Sequence, residues 1–480
     1  MKRSIFFDLR FLPFLLLFIT VPLVAQWGPD SKLSSNDSSK LNENMGECLA
    51  VSGDTVHVVW WNSKSGGSTI YYKHSFDGGV TWGADTSITD SINSSDFPSI
   101  AVSGATVHVV FRDTTGGQHA SYYKRSLDGG NTWGPNVLLG NYYWWPSITA
   151  TGSSVFVALN SNSPGNSEVW CRRSTDNGST WDTVHQISNA TGRSEDPSIA
   201  AGGGFVHLAW NDNRTGIMQT FYRRSSDNGV SWGPETQLTN APEFAYFPLL
   251  RVFGSNVDLV WGNRTGSAFD IYYKSSADFG ATWNTEQHLT SGTATSAYPV
   301  IARDGPNIHL VWWQFNGDVY YRHSRNGGMS WDSVVSLVSA ASTPSSPFIA
   351  VAGPVLHLIW LDHRDGYPAI YYKRNPTGNT TATGGVTETR SARPSPGSLI
   401  VFPNPFRAAT QIEYSLPVDC KAALTVYDPL GRVVTSFSGE SVAGMPQSFT
   451  FDATKIEPGA YICRVIAGNY SLSTPLLLLK

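Results

Sequence analysis

FPSIAVSG (97–104), VHVVF (107–111), SYYK (121–124) and SLDGGNTW (126–133) follow one another in a chain of 480 residues, and the same four runs recur along most of it. Each run is short, rich in β-branched and aromatic residues, and bounded by Gly, Asp, Asn, Ser or Pro. That is the signature of strands joined by tight turns. Aligned on the second run, the copies read VHVVW (56–60), VHVVF (107–111), VFVAL (155–159), VHLAW (206–210), VDLVW (257–261), IHLVW (308–312) and LHLIW (356–360). Their starts are 51, 48, 51, 51, 51 and 48 residues apart. Four strands repeated at such a period make the blade of a β-propeller.

The first three runs occur seven times, but the fourth, which opens with Trp, occurs six times: Trp82, Trp133, Trp181, Trp232, Trp283 and Trp331. The seventh copy lies at the other end of the chain, where WGPDSKL (27–33) reads like WGPETQL (232–238). The expectation is an all-β, seven-bladed propeller of four-stranded blades whose last blade is completed by the N-terminal strand. A six-bladed ring is the alternative if one unit is displaced. Blades are covered on both faces, so the recurring tryptophans, Trp60, Trp210, Trp261, Trp312 and Trp360 among them, read as packing.

Composition agrees: 45 Gly, 17 Trp, 20 Tyr and 23 Phe stand beside only 15% charged residues. The net charge of −4 lacks the basic footprint that nucleic acid or an anionic membrane requires. Residues 1–25 have a basic start, an apolar core (11–24) and Ala25 as a cleavage position, so they read as a signal peptide, and the mature chain is expected to carry no membrane span. Of four cysteines, Cys48 and Cys171 read as buried small apolar residues, while Cys420 and Cys463 share the C-terminal segment and leave a bridge open. His57, His108, His207, His309 and His357 share one column of the second strand, with Phe156 and Asp258 in the others. Metal ligands must converge on one ion, whereas this column is dealt out one per blade, so no metal and no cofactor is expected.

Between third and fourth strands the chain reads SFDGGVTW (75–82), SLDGGNTW (126–133), STDNGSTW (174–181), SSDNGVSW (225–232), SADFGATW (276–283) and SRNGGMSW (324–331). Asp77, Asp128, Asp176, Asp227 and Asp278 are suited to accept hydrogen bonds within their own turns. Asn326 holds the sixth place, and an amide can keep those bonds but cannot act as an acid or nucleophile. The motif is therefore read as structural. It resembles the Asp-box, or bacterial neuraminidase repeat, of sialidase-like propellers, a group that includes sialidases, other glycosidases and binding receptors. Sialidases carry an early Phe/Tyr-Arg-Ile-Pro motif; the matching strand here is Glu47-Cys48-Leu49-Ala50, without the arginine.

Residues that break the repeat are the candidates for function. Tyr143, Trp144 and Trp145, then Tyr246 and Phe247, then Tyr298, precede innermost strands, near the carboxylates Asp96, Glu195, Asp196 and Glu243. Such rings either bind a sugar by stacking on its C–H face or plug the central channel. Arg214, Arg264 and Arg364, with Lys64, lie in the loops between second and third strands and either face an acidic ligand or pair with a neighbouring Asp.

The organisation expected is a signal peptide (1–25), a propeller (26–376), a Thr/Gly/Pro/Ser-rich linker (377–398) and a small Ig-like β-sandwich (399–480). The order FPNPF (402–406), VYD with Gly431-Arg432, Gly459-x-Tyr461 and a terminal Lys480 resembles the type IX secretion C-terminal sorting domain. That resemblance implies passage across a Gram-negative outer membrane, with residues 399–480 meeting the secretion machinery. The functional expectation is a secreted or surface-displayed propeller that binds a ligand, a glycan or other surface partner. The alternative is a sialidase-like exo-glycoside hydrolase.

Overall fold

The computed structural model describes residues 27–35, 38–42, 46–64, 67–90, 94–115, 117–141, 143–161, 165–266, 268–290, 295–315, 317–338, 343–379, 398–402, 409–416, 420–428, 432–441, 446–467 and 470–478. Every regular element among them is a β-strand. The chain divides into two compact units, residues 1–382 and 383–480.

The first unit is a ring of seven antiparallel sheets, each of four sequential strands but for the first and last. Blade 2 is representative, with Ser94–Ser103 innermost, then Thr106–Thr115, Gln118–Ser126 and Val137–Asn141. Blade 1 carries an extra strand, Ser39–Lys40, on Thr55–Lys64. Blade 7 consists of Ser345–Ala352, Val355–Asp362 and Ala369–Asn375, and its fourth strand is the N-terminal Ser31–Lys32. The seven-bladed count and the exchange of the N-terminal strand are thus as the repeat predicts.

Two repeated contacts hold blade to blade, and a third, within a blade, fixes the Tyr that makes the first of them. Blade 4 excepted, the Trp opening the fourth strand meets, edge to face, a third-strand Tyr of the preceding blade: Tyr72–Trp133 and Tyr123–Trp181 at 4.9 Å, Tyr222–Trp283 and Tyr273–Trp331 at 5.2 Å. That Tyr hydroxyl bonds Nδ1 of the column histidine of its own blade, 2.6 Å at His57 and 2.7 Å at His108 and His207. In blade 3, Cys171 takes the Tyr position, and Phe156 fills the space instead, under Gly229. The second contact between blades is made by the cation that follows the Tyr. Arg172 donates to Leu139 O, Arg223 to Ile187 O, Lys274 to Leu238 O and Lys373 to Leu337 O, each in the preceding blade's fourth strand. Trp60, Trp210, Trp261 and Trp360 are fully buried and fill the spaces between sheets.

Asn375 and Thr377 form a degenerate seventh turn, and Asn379 bonds His309, Asp304 and Gly353, so propeller contacts run at least to residue 379. The second unit has two sheets, one of three strands from Ser398–Phe402 and one of four around Cys420–Tyr427 and Gly459–Ala467. They enclose a core that includes Tyr414, Leu424, Phe451, Val465 and Leu476. Cys463 is a buried free thiol, so the bridge to Cys420 is not made. Register explains it: Cys463 lies opposite Val426, six positions along the strand from Cys420, about 20 Å at the usual rise. Among the described residues no helix is long and apolar enough to cross a membrane.

Candidate functional site

Strands alternate direction, so each blade presents two kinds of turn to two opposite ends of the ring. The turns entering the innermost strands and those joining second to third strands share one end. The Asp-containing turns lie at the other.

At that other end each Asp side chain accepts hydrogen bonds within its own turn. Asp128 Oδ1 accepts from Thr132 N (2.8 Å) and Ser126 Oγ (2.7 Å), and its Oδ2 accepts from Thr132 Oγ1 (2.7 Å). Asp77, Asp176, Asp227 and Asp278 do the same. Asn326 keeps the geometry, with Oδ1 accepting from Ser330 N (2.9 Å) and Nδ2 donating to Ser330 Oγ (2.8 Å).

The first end is built differently. Blades 2 to 7 enter their inner strand through a residue–proline step, and in all six the residue before proline is left-handed: Phe97 (φ 48°), Trp145 (43°), Asp196 (53°), Phe247 (57°), Tyr298 (53°) and Ser346 (49°). Pairing with the second strand slips there, between Asp96 and Ser99 in blade 2 and between Trp144 and Ser147 in blade 3, for example. A bulky residue in this region costs on the order of 1–3 kcal/mol and persists only where its surroundings fix it. Five of the six, Ser346 excepted, are half-buried, with part of the side chain open to solvent.

Two aromatic arcs result. In blades 1 to 3, Trp61 meets Phe97 (6.0 Å), the Arg112 guanidinium lies over Phe97 (4.5 Å) and Trp144 (5.2 Å), and Trp144 meets His119 (4.1 Å) and Trp145 (6.4 Å). Asp96 fixes Arg112 through two bonds, 2.7 and 2.6 Å. In blades 5 and 6, Tyr246 meets Phe247 (5.8 Å), Phe247 meets Tyr298 (4.6 Å), and Tyr298 meets Trp313 (6.0 Å). Blade 4 sits between them with Glu195 and Asp196. Burial pushes the Asp196 carboxyl up to about 6; the Glu195 charge adds to this, and the 3.0 Å bond from Asn211 opposes it.

The central channel holds a cavity of about 270 Å³ lined mainly by small residues of all seven inner strands, including Ala50, Ala101, Ala200, Ala302 and Ala350. Arg251 takes the alanine position in blade 5 and forms an ion pair with Glu47, which stands in blade 1 where the other blades have proline. The pair spans the channel.

The candidates named from sequence fall into distinct places. Trp144, Trp145, Tyr246, Phe247 and Tyr298 meet at the first end, and none lines the channel cavity. Tyr143 packs over Gly140 and against Trp170 (6.4 Å) between blades. The arginines share that end but are paired: Arg214 with Asp212 (2.6 Å) and Glu235 (2.5 Å), Arg364 with Asp362 (2.6 Å) and Asp30 (2.8 Å), Arg264 with Glu243 (3.6 Å). The Lys64 side chain lies outside the described residues. Phe97, Arg112, Phe269, Phe315 and Gly262 belong to the same surface and were not singled out; comparing columns across blades is the signal that finds them.

Residues 400–478 match the family described as the secretion system C-terminal sorting domain. No curated protein matches the chain. Among solved structures, a Hadza microbial sialidase is 16% identical with a TM-score of 0.42, over 62% of this chain and 66% of its own, just under two thirds. The phage phi92 endosialidase is 10% identical (TM-score 0.48; 94% and 87% covered), and the polysaccharide lyase Uly1 is 8% identical (0.49; 73% and 99%). The sorting domain marks the chain for export by type IX secretion, to the cell surface or the medium.

Proposed function

We propose that the propeller binds a glycan at the end of the ring that carries the residue–proline turns, and that the C-terminal unit delivers this face to the outside of the cell. The observation that carries the reading is the rim itself. Aromatic side chains, partly open to solvent, are held by a strained backbone in blade after blade, on the end that carries no Asp turn. Backbone strain of this kind is kept where a geometry is needed. Half-exposed rings beside carboxylates offer a sugar its two preferred contacts, a flat apolar face and hydrogen-bond acceptors.

The test separates binding from packing. Trp144→Ala and Trp145→Ala should each weaken glycan binding by about 2 kcal/mol, as for a contact aromatic, while Tm barely moves. Trp210→Ala, which empties a buried site, should cost about 3–5 kcal/mol of stability. Two rim variants that melt as far below the parent as Trp210→Ala would make them fold elements and end the proposal.

A sialidase-like exo-glycoside hydrolase is the second reading, favoured by one observation: Asp196 stands at the rim beside Glu195, and burial raises its carboxyl to about 6, towards the range a general acid uses. Incubation with 3′-sialyllactose decides it. Turnover that Asp196→Asn abolishes would place the enzyme first, and a parent that binds without turnover would leave the binding module.

A further inference from the structure

Resting on the glycan reading of this face, we infer that the slot between blades 5 and 6 is a subsite for one uncharged pyranose unit, opened by Gly262. The column that holds Gly262 carries Trp61, Arg112, Asn160, Asn211, Trp313 and Leu361 in the other blades. Blade 5 alone lacks a side chain there. The consequence is an open slot of about 230 Å³, walled by Tyr246, Phe247, Phe269, Tyr298 and Phe315, with Ser296 and Ala297 also lining it. A Cβ on Gly262 would meet nothing closer than Tyr246 O at 3.8 Å and Phe269 Cδ1 at 3.9 Å, so glycine is not demanded by close packing. What it supplies is room.

The slot's chemistry selects the occupant. Its walls are rings that present faces and edges in several orientations, Phe247 against Tyr298 at 38° and Tyr246 against Phe269 at 60°. Phe315 is 56% exposed at the lip. Among the described residues no charged side chain lines it. The ion pair Glu243–Arg264, whose Arg264 lies two residues along the strand from Gly262, is internally neutral, with Arg264 also over Phe244 at 5.8 Å. Arg112, Arg193, Arg214 and Arg364 on this end are engaged by Asp96, Glu195, Asp212 and Asp362 in turn. Glu195 and Asp196 stand in the adjacent blade. A carboxylated sugar would meet acids and already paired cations, whereas an uncharged ring has no charge to desolvate, stacks its C–H face on the walls and keeps hydroxyls towards solvent at the open mouth.

The experiment is calorimetric titration of the mature chain with cellohexaose, xylohexaose, mannohexaose and 3′-sialyllactose, with Tm measured alongside. Binding of at least one neutral hexaose is expected. Gly262→Leu, which places in blade 5 the side chain blade 7 already carries, should weaken it about tenfold or more at unchanged Tm. Phe315→Ala tests the same slot from an exposed position and decides the matter if Gly262→Leu does not fold. If both variants bind as the parent does while Trp144→Ala does not, the subsite is wrong and the glycan reading stands. A parent that binds only the sialylated sugar overturns the neutral assignment. A parent that binds none of the four overturns both.

Discussion

At the scale of the residue, each Asp of the Asp turns has its carboxylate engaged by donors of its own turn. The hydroxyl of Thr132, then the Thr132 N–H and the Ser126 hydroxyl, hold the Asp128 carboxyl down at about 2, and Asp176 and Asp227 are held at about 2 by the same set. A carboxylate depressed on folding stabilises the fold fully above its ordinary value near 3.8, and that contribution is lost as pH falls towards 2. The parent should therefore lose Tm between about pH 4 and pH 2. Asp128→Asn should fold, with a slightly lower Tm at neutral pH and a shallower acid limb, because Asn326 already shows the amide closing the turn. Thermal melts across that range check it, and an unfolded Asp128→Asn or an unchanged acid limb would contradict the account. The site was less legible than the turns. Trp145, Phe247 and Tyr298 stand out in the sequence because they are large residues at a place where the repeat varies. Gly262 does not, since a missing side chain announces itself only when seven copies of one column are compared. The Glu47–Arg251 pair was also hidden, because each departure looks minor until the ring brings the two together.

At the scale of the element, the strands were legible because alternation, turn residues and a fixed period all agree. The slip before each inner strand was not, because the residue before a proline normally avoids helical backbone and six of them here are left-handed. Tertiary packing overrides local preference at these six rim positions, and again at Phe279 (φ 56°) in an Asp turn of the opposite end. Glycines of the repeat likewise divide into two kinds that sequence cannot separate. Gly104 turns from first to second strand with φ 60° and has open space where a Cβ would go. Gly130, at φ 95°, lies against the Tyr72 hydroxyl of the preceding blade, so a Cβ there would overlap it. Gly104→Ala should then cost only backbone strain, about 1–2 kcal/mol. Gly130→Ala should add overpacking at a blade interface, for about 2–4 kcal/mol in all. Urea melts of the two variants measure the difference, and equal losses would show that the blade contact contributes nothing beyond φ.

At the scale of the whole molecule, a ring must be closed, and here one short strand does it. Ser31 pairs with Tyr372 and Lys32 with Tyr371, while Gly28 N donates to Arg374 O and Leu33 N to Ile370 O, both at 2.8 Å. Trp27 meets Tyr321 of blade 6 at 5.9 Å, as the opening tryptophans Trp82, Trp133, Trp181, Trp283 and Trp331 meet the Tyr of their preceding blade. Asp30 joins Arg364 at 2.8 Å and Lys373 at 2.7 Å. Onward, Lys73 of blade 1 bonds Leu33 O at 2.8 Å, the same carbonyl contact made between successive blades elsewhere. Residues 27–33 thus tie blades 6, 7 and 1 together. Without them Ala369–Asn375 becomes an open edge whose Ile370, Tyr371 and Tyr372 are now buried, which is a template for association between chains. Deleting residues 27–33 should lower Tm, broaden the transition and yield oligomers in size-exclusion chromatography. Arg251→Met breaks the tie across the channel but exposes no edge, so it should lower Tm while the protein stays monodisperse. The two variants separate edge protection from electrostatic bracing. A truncated chain that melts with the parent and elutes as the parent does would mean that the last blade is stable with three strands, and that the N-terminal strand covers the ring without closing it.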